Sequence, residues 1–184
     1  KIKILFLLFI AMLSVSTSPI IARYLDAVPA VTISFWRMAL GAIILWFISI
    51  IKKQIPLNSK QQKRTIIAGI LLGIHFALFF GSIKLTTIAN ATFLGTLAPI
   101  FTFIIEKFIL RRKHSPALIL GLGLAICGAF IIVGNKFDFS SDYTTGNFLA
   151  VSCSVFLGLA FIISENVRKK VGTISFSRTL FSSA

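Results

Sequence analysis

The sequence predicts an all-α integral membrane protein that crosses the membrane six times. Of its 184 residues, 57% are hydrophobic and 13% are charged, which leaves more apolar surface than a soluble domain of this length can bury. A six-residue motif at positions 32–37 recurs at 173–178, and the two copies differ only at Trp36 and Ser177. Five spans separate the copies, so the copies begin on opposite sides of the membrane. That arrangement is typical of inverted-repeat secondary transporters.

The 19 basic residues outnumber the 5 acidic ones and give a net charge of +14. Most lie in short clusters between apolar runs, a pattern of membrane topology. Nucleic-acid binding would use a contiguous basic face with interleaved aromatic residues, so no nucleic-acid partner is expected. With the N-terminus inside, 14 basic residues face the cytoplasm, and only Arg23, Lys84 and Lys136 face outward. The positive-inside rule therefore predicts a multi-pass protein of the inner (plasma) membrane with a cytoplasmic N-terminus.

The first three spans are predicted at residues 4–21, 31–51 and 66–85. At ~1.5 Å per residue, each is long enough for most of a ~30 Å hydrocarbon layer. Pro19 is expected to break or kink the first span near its outer end, and Pro29 suits the start of the second. Lys1, Lys3 and the small residues at 14–18 are also typical of a cleaved signal peptide, which stays an alternative. A basic loop with Lys60, Lys63 and Arg64 precedes the third span.

The remaining spans are predicted at residues 90–110, 117–134 and 146–164. Pro99 lies near the middle of the fourth span. Gly121, Gly123 and Gly128 favour close helix packing of the fifth. Cys127 and Cys153 lie in apolar segments, and we expect both to be buried. The chain begins without Met and stops shortly after the second motif copy, so we expect a longer protein.

An ordered set of features resembles the EamA-type repeat of the drug/metabolite transporter superfamily. They are Pro19 with Ala22 and Arg23; Pro29 followed by Phe35, Trp36 and Arg37; Phe79 and Phe80; residues 89–91; residues 98–101; and Gly121 with Gly128. The resemblance implies two five-helix repeats and ten helices in all. Residues 1–135 would form the first repeat, 136–145 an extracytoplasmic loop, and 146–184 the start of the second repeat. The family often has Glu and then Arg at the end of the fourth helix, where this chain has Arg111 or Arg112.

These observations predict a secondary transporter that moves a small metabolite by alternating access. An amino acid, an amine, a nucleobase-like compound or a drug would each suit its aromatic-rich helices. The alternative is a membrane scaffold or accessory subunit that transports nothing, and pairing with a second copy of the chain stays open. No paired carboxylates, metal-binding cluster or phosphate-binding loop is found, so we expect no enzyme activity, no metal and no cofactor.

Seven residues are candidates for substrate binding or for the transport pathway. They are Trp36, Arg37, His75, Phe79, Asn90, Pro99 and Glu106. A charge at mid-membrane costs about 2.5–3.5 kcal/mol, so Arg37 and Glu106 call for a structural or functional reason.

Each candidate also has a structural interpretation. Arg37 either extends to the outer surface or binds an anionic group. Trp36 suits an interface anchor, and His75 suits either a packed, hydrogen-bonded side chain or a proton relay, with Phe79 on the same helix face. Asn90 either caps the fourth helix or lines the outer mouth.

Two carboxylates, Glu106 and Glu165, lie near the predicted cytoplasmic side, and the first has two interpretations. Glu106 either forms an interfacial ion pair with Lys107, Arg111 or Arg112, or acts as a coupling carboxylate. Glu165 is expected to pair with Lys169, four residues later. Pro99 either interrupts its helix at a binding site or only serves packing.

Overall fold

The computed structural model describes residues 2–134, 137–138 and 140–184, and the regular structure in these ranges is helical. The helices are α1 (Ile2–Tyr24), α2 (Ala30–Ile51), α3 (Ser59–Leu85), α4 (Ile88–Gly95), α5 (Ala98–Ile104), α6 (Pro116–Val133), α7 (Thr144–Arg168) and α8 (Thr173–Ser183). A π-helical turn (Ile105–Ile109) follows α5, and a 3₁₀ turn (Ser141–Tyr143) precedes α7. Lys1, Lys136, the side chain of Lys3 and the predicted repeat boundary at 135–136 lie outside the described residues.

In the part of the chain that the structure describes, six helical segments are long and apolar enough to cross a membrane, which confirms the predicted all-α membrane fold. The fourth segment, Ile88–Ile109, combines α4, α5 and the π turn. The third begins at Ser59, because Asn58 and Gln61 form a reciprocal capping box with side chain–backbone bonds of 2.9 and 3.0 Å. Lys60, Lys63 and Arg64 therefore lie in the first turns of α3, and the prediction of a loop there was wrong.

Helices α3 and α7 form the centre of the bundle and pack against each other along most of their length. α4 and α5 pack on α7, while α8 lies against α2 and α3. Helices α3 and α7 approach each other closely at Gly146, which has no side chain. A Cβ placed there would lie 2.6 Å from the Leu85 carbonyl oxygen. Residues 52–58, 111–115 and 169–172 lie at one end of the bundle, which we call the basic end. Residues 25–29 and 86–87 lie at the opposite end.

Helix α6 is peripheral, and this overturns two predictions. A Cβ added to Gly121, Gly123 or Gly128 would meet nothing within 4 Å among the described residues. Cys127, on the same helix, is exposed, whereas Cys153 on the central helix α7 is buried as expected. The reason is that α6 packs mainly on α4, so most of its surface faces away from the rest of the chain.

The two intramembrane prolines behave differently. Pro99 interrupts the fourth span, which is one of its two interpretations, because it has no N–H to bond the Gly95 carbonyl. Helix α4 ends at Gly95, and α5 begins at Ala98. For Pro19 we expected a break or a kink, and the structure excludes the break, since α1 continues to Tyr24. A single proline removes one hydrogen bond from a long helix, and here the buried ring of Pro19 packs inside the bundle.

Candidate functional site

A cavity of about 650 Å³ opens between α1, α3, the α4–α5 break and α7, and we call it the main cavity. Its wall is mostly apolar and aromatic. Four of the seven candidates line it: Arg37, His75, Phe79 and Pro99. The helix break places Thr96 and Ala98 in the same wall. Such an apolar cavity with a few convergent polar groups is the usual form of a small-molecule site.

Arg37 lies two turns into α2 and faces α1 and α3. Its guanidinium donates a hydrogen bond to the Ser18 hydroxyl of α1 and lies 4.5 Å from the centre of the Phe76 ring. No carboxylate of the described residues lies within 4.0 Å of it. A guanidinium has five N–H donors, so Arg37 brings positive charge and further donors to the cavity wall.

His75 is buried in α3 and is held in one orientation. Its Nδ1 lies 2.8 Å from the Cys153 carbonyl oxygen of α7, and its ring stacks on Phe79 with centroids 6.1 Å apart. A carbonyl oxygen only accepts, so Nδ1 carries the hydrogen. In the neutral ring, Nε2 is then an acceptor. His75 is thus the packed, hydrogen-bonded residue that one interpretation predicted, and it also borders the main cavity.

Asn90 does not line the main cavity, and its side chain joins α4 to Asp138 and to α7 at the opposite end. Its Nδ2 donates to the Asp138 carbonyl at 2.7 Å and to Asn147 Oδ1 at 2.9 Å, and its Oδ1 accepts from the Asp138 amide at 3.1 Å. The prediction that Asn90 caps the fourth helix was wrong. Thr87 is the cap and accepts from the Asn90 amide, because the helix begins two residues earlier than predicted.

Glu106 lies in the π turn at the basic end and belongs to an ion-pair network. Arg112 contacts Glu106 and Glu165 at 2.6 Å each, and Lys169 also contacts Glu165 at 2.6 Å. The predicted pair of Glu165 with Lys169 is confirmed, and of the three proposed partners of Glu106 the structure selects Arg112. The hydrogen bond to Glu165 is the main cause of a raised pKa at Arg112. We call these four residues the basic-end network.

Trp36 lies on the outer face of α2, is 56% exposed and contacts Phe35 edge to face at 5.6 Å. The structure therefore brings four candidates together and leaves Trp36, Asn90 and Glu106 elsewhere. Ser18 and Phe76, which hold Arg37, were not predicted. Phe76 could have been considered from the sequence, because it adjoins the candidate His75. Nothing in the sequence distinguishes Ser18, a serine within an apolar span, as a partner of Arg37.

Comparison with known proteins agrees with this architecture. The model of the EamA-like transporter family matches residues 2–134. Human solute carrier family 35 member G1 is 26% identical over 167 residues, covering 85% of this chain and 46% of that protein. The uncharacterized transporter YyaM of Bacillus subtilis is 28% identical over 103 residues, which cover 53% of this chain and 33% of that protein.

Two further similarities concern a named exporter and a solved structure. The aromatic amino acid exporter YddG of Ancylobacter novellus is 26% identical over 100 residues, covering 53% of this chain and 34% of that protein. A protein of known crystal structure superposes with a TM-score of 0.67 at 19% identity, covering 91% of this chain and 62% of that one, which shows the fold. The chain spans less than half the length of these curated relatives. By its family match, this membrane protein belongs to the EamA-like transporter family.

Proposed function

We propose that this chain forms the first repeat and the start of the second repeat of a secondary transporter with ten helices. The transporter moves a small organic solute by alternating access, and the main cavity contributes one wall of the substrate site. The guanidinium of Arg37, which has no carboxylate partner among the described residues, on a mostly apolar wall is the observation that carries this proposal.

The energetics of Arg37 favour an anionic ligand. An arginine near mid-membrane costs about 2.5–3.5 kcal/mol. Its hydrogen bond to Ser18 is worth about 0.6 kcal/mol by the average for membrane proteins. Contact with Phe76 adds about 0.5–2 kcal/mol. These contacts offset the cost only in part, and a carboxylate bound to the free donors would form the strong charge-assisted bonds that remain unused.

The rest of the wall suits an aromatic or apolar molecule with one hydrogen-bond donor. Phe76 and Phe79 supply ring faces, and His75 Nε2 supplies an acceptor. The solute class we favour is therefore a compact carboxylate with an apolar or aromatic body and an N–H group. The relative named as an aromatic amino acid exporter handles molecules with these three parts, which supports the assignment.

Topology follows from the charge pattern. We propose an inner-membrane location with the basic end, including Lys52, Lys53 and Lys60, in the cytoplasm. Labelling of an engineered cysteine in residues 52–58 from outside intact cells would contradict this orientation.

A thermal-shift experiment on the full-length protein in detergent tests the site. The probes are phenylalanine, its amide, which has no carboxylate, and 3-phenylpropionate, which has no amine. A ligand that binds only the folded state raises Tm as its concentration rises. We expect the largest shift with phenylalanine, a smaller one with 3-phenylpropionate and the smallest with the amide.

Variants assign these shifts to the cavity. Arg37→Gln should remove the preference for the carboxylate, whereas Arg64→Gln, which removes an exposed charge at the basic end, should leave it unchanged. Proteoliposomes loaded with radiolabelled phenylalanine then test transport itself. If no probe shifts Tm and no flux is measured, the proposal fails and the scaffold alternative takes its place.

A further inference from the structure

The two copies of the repeated motif begin helices at opposite ends of the bundle. The first lies in the opening turns of α2, which starts at the opposite end, and the second opens α8, which starts at the basic end. Arg37 and Arg178 are the last residues of the two copies. Each arginine therefore lies within about two turns of the start of its helix, and the two helices start at different ends.

The surroundings of the two arginines are alike in kind. Arg178 donates a hydrogen bond to the Ser49 hydroxyl, and its guanidinium lies 4.6 Å from the centre of the Trp46 ring. Arg37 likewise has one serine hydroxyl and one aromatic face. Within the described ranges, neither arginine has a carboxylate within 4.0 Å. Both cations thus have neutral partners and, in the described part of the chain, no counter-ion.

A second cavity, of about 450 Å³, lies beside Arg178, and we call it the Arg178 pocket. Its wall includes Trp46, Gln62, Thr179 and Ser182. The Arg178 Nε–H is buried and has no hydrogen-bond partner in the described structure. A buried donor without a partner is costly, whereas a carboxylate or phosphate accepts two parallel bonds from a guanidinium.

We propose that the Arg178 pocket is a second binding station for the anionic group of the solute, at the basic end of the bundle. This inference rests on the proposed function and adds a second binding site to it. The solute's carboxylate or phosphate binds Arg37 on one side of the pathway and Arg178 on the other. The pocket has room for a small molecule, since ligand sites commonly enclose about 300–1,000 Å³.

Anionic lipid is a second source of the same chemistry at this end. Lys60, Lys63 and Arg64 are exposed nearby and would attract acidic headgroups. The experiment must therefore separate a headgroup from a free solute.

The electrostatic potential in the Arg178 pocket is measured first, with a cysteine reporter that needs no known substrate. Gln62 is exposed and lines the pocket, so Gln62→Cys is introduced into the full-length protein after Cys127→Ser and Cys153→Ala. The reporter's rates with an anionic and a cationic methanethiosulfonate are compared in neutral detergent. Arg178→Gln should lower the anionic-to-cationic rate ratio about 25-fold, because one unit charge about 4 Å away changes each rate about fivefold and in opposite directions.

Two controls separate this effect from misfolding and from general charge. Arg178→Lys keeps the charge and should keep the rate ratio. Arg168→Gln removes an exposed charge from the same end and should change the ratio less than twofold, because bulk solvent screens it at ~0.15 M salt. An unchanged ratio in Arg178→Gln would overturn the proposal.

Binding is measured by protection of the same reporter. We expect 3-phenylpropionate to slow its modification and 3-phenylpropanamide to leave it unchanged. Protection should be lost in Arg178→Gln and kept in Arg37→Gln. Protection that remains in Arg37→Gln does not depend on the main cavity. The proposed function can therefore fail while the second binding station is upheld, or the reverse.

Nanodiscs resolve the source of the anion. In phosphatidylcholine alone, 3-phenylpropionate should still protect the reporter. If only the addition of phosphatidylglycerol protects it, the occupant is a lipid headgroup and the second solute station is overturned.

Discussion

Replacing Asn90 by alanine should destabilise the folded protein more than any substitution on the exposed helix faces. Asn90 is fully buried, and its amide makes three hydrogen bonds that join the start of α4 to Asp138 and to Asn147 of α7. Asn147 Oδ1 also accepts from Thr86 at 2.8 Å, so one small cluster connects α3, α4 and α7.

The expected loss follows from these three bonds. A net hydrogen bond contributes about 0.5–1.5 kcal/mol in soluble proteins and about 0.6 kcal/mol on average within membranes. Asn90→Ala also leaves the Asp138 amide without its partner. We therefore expect the free energy of unfolding to fall by about 2–4 kcal/mol.

Unfolding of the full-length protein by SDS in mixed micelles measures this quantity. Asn166→Ala is the matched control, because Asn166 is exposed on α7 and should change the free energy by less than about 0.5 kcal/mol. A double-mutant cycle with Asn147→Ala should give a coupling energy of about 0.5–2 kcal/mol. If Asn90→Ala and Asn166→Ala unfold alike, or if the coupling energy is zero, this account of the opposite end is refuted.

Two further predictions concern helix packing and the basic-end network. Gly146→Ala should cost about 1–3 kcal/mol of unfolding free energy, because its Cβ meets the Leu85 backbone, whereas Gly121→Ala should be neutral or stabilising. Equal effects in the same SDS titration would contradict the α3–α7 contact. Arg112→Gln should speed hydrogen exchange in the π turn, because Arg112 bridges Glu106 and Glu165. Arg111→Gln should not, since Arg111 forms no ion pair with either carboxylate among the described residues. Unchanged exchange in Arg112→Gln would show that the network does not hold the turn.

The fold was largely predictable because membrane spans are read from uninterrupted apolar length. Six such runs predicted the six spans that the described residues show. The N–H missing from Pro99 made a break in the fourth span one of two interpretations, and the structure has that break. Helix ends were less predictable where a polar cap extends a helix into a basic stretch. Asn58 and Gln61 do this for α3, and Lys60 and Arg64 continue the helix from that cap because Lys and Arg are good helix formers.

The site was predictable where its residues share a helix and unpredictable where helices meet. His75 and Phe79 lie one turn apart, so their common face follows from the helical period. The partners of Asn90 are 48 and 57 residues away, and nothing local indicates them. The sequence does not distinguish the glycines of α6 from Gly146. Whether a glycine lies in a close helix contact depends on the position of the neighbouring helix.

The two ends of the bundle are held by different kinds of bonds, and this bears on how the proposed transporter would open. At the opposite end, Asn90 is buried among neutral partners, and Arg23 and Lys84 donate to backbone carbonyls at 2.6 and 2.8 Å. At the basic end, Arg112 and Glu165 are 35% and 32% exposed. Exposed ion pairs contribute about 0–1 kcal/mol and are screened by salt, whereas hydrogen bonds to neutral carbonyl and amide groups, such as those at the opposite end, are screened much less. Higher ionic strength should therefore loosen the basic end first and favour the state that is open there.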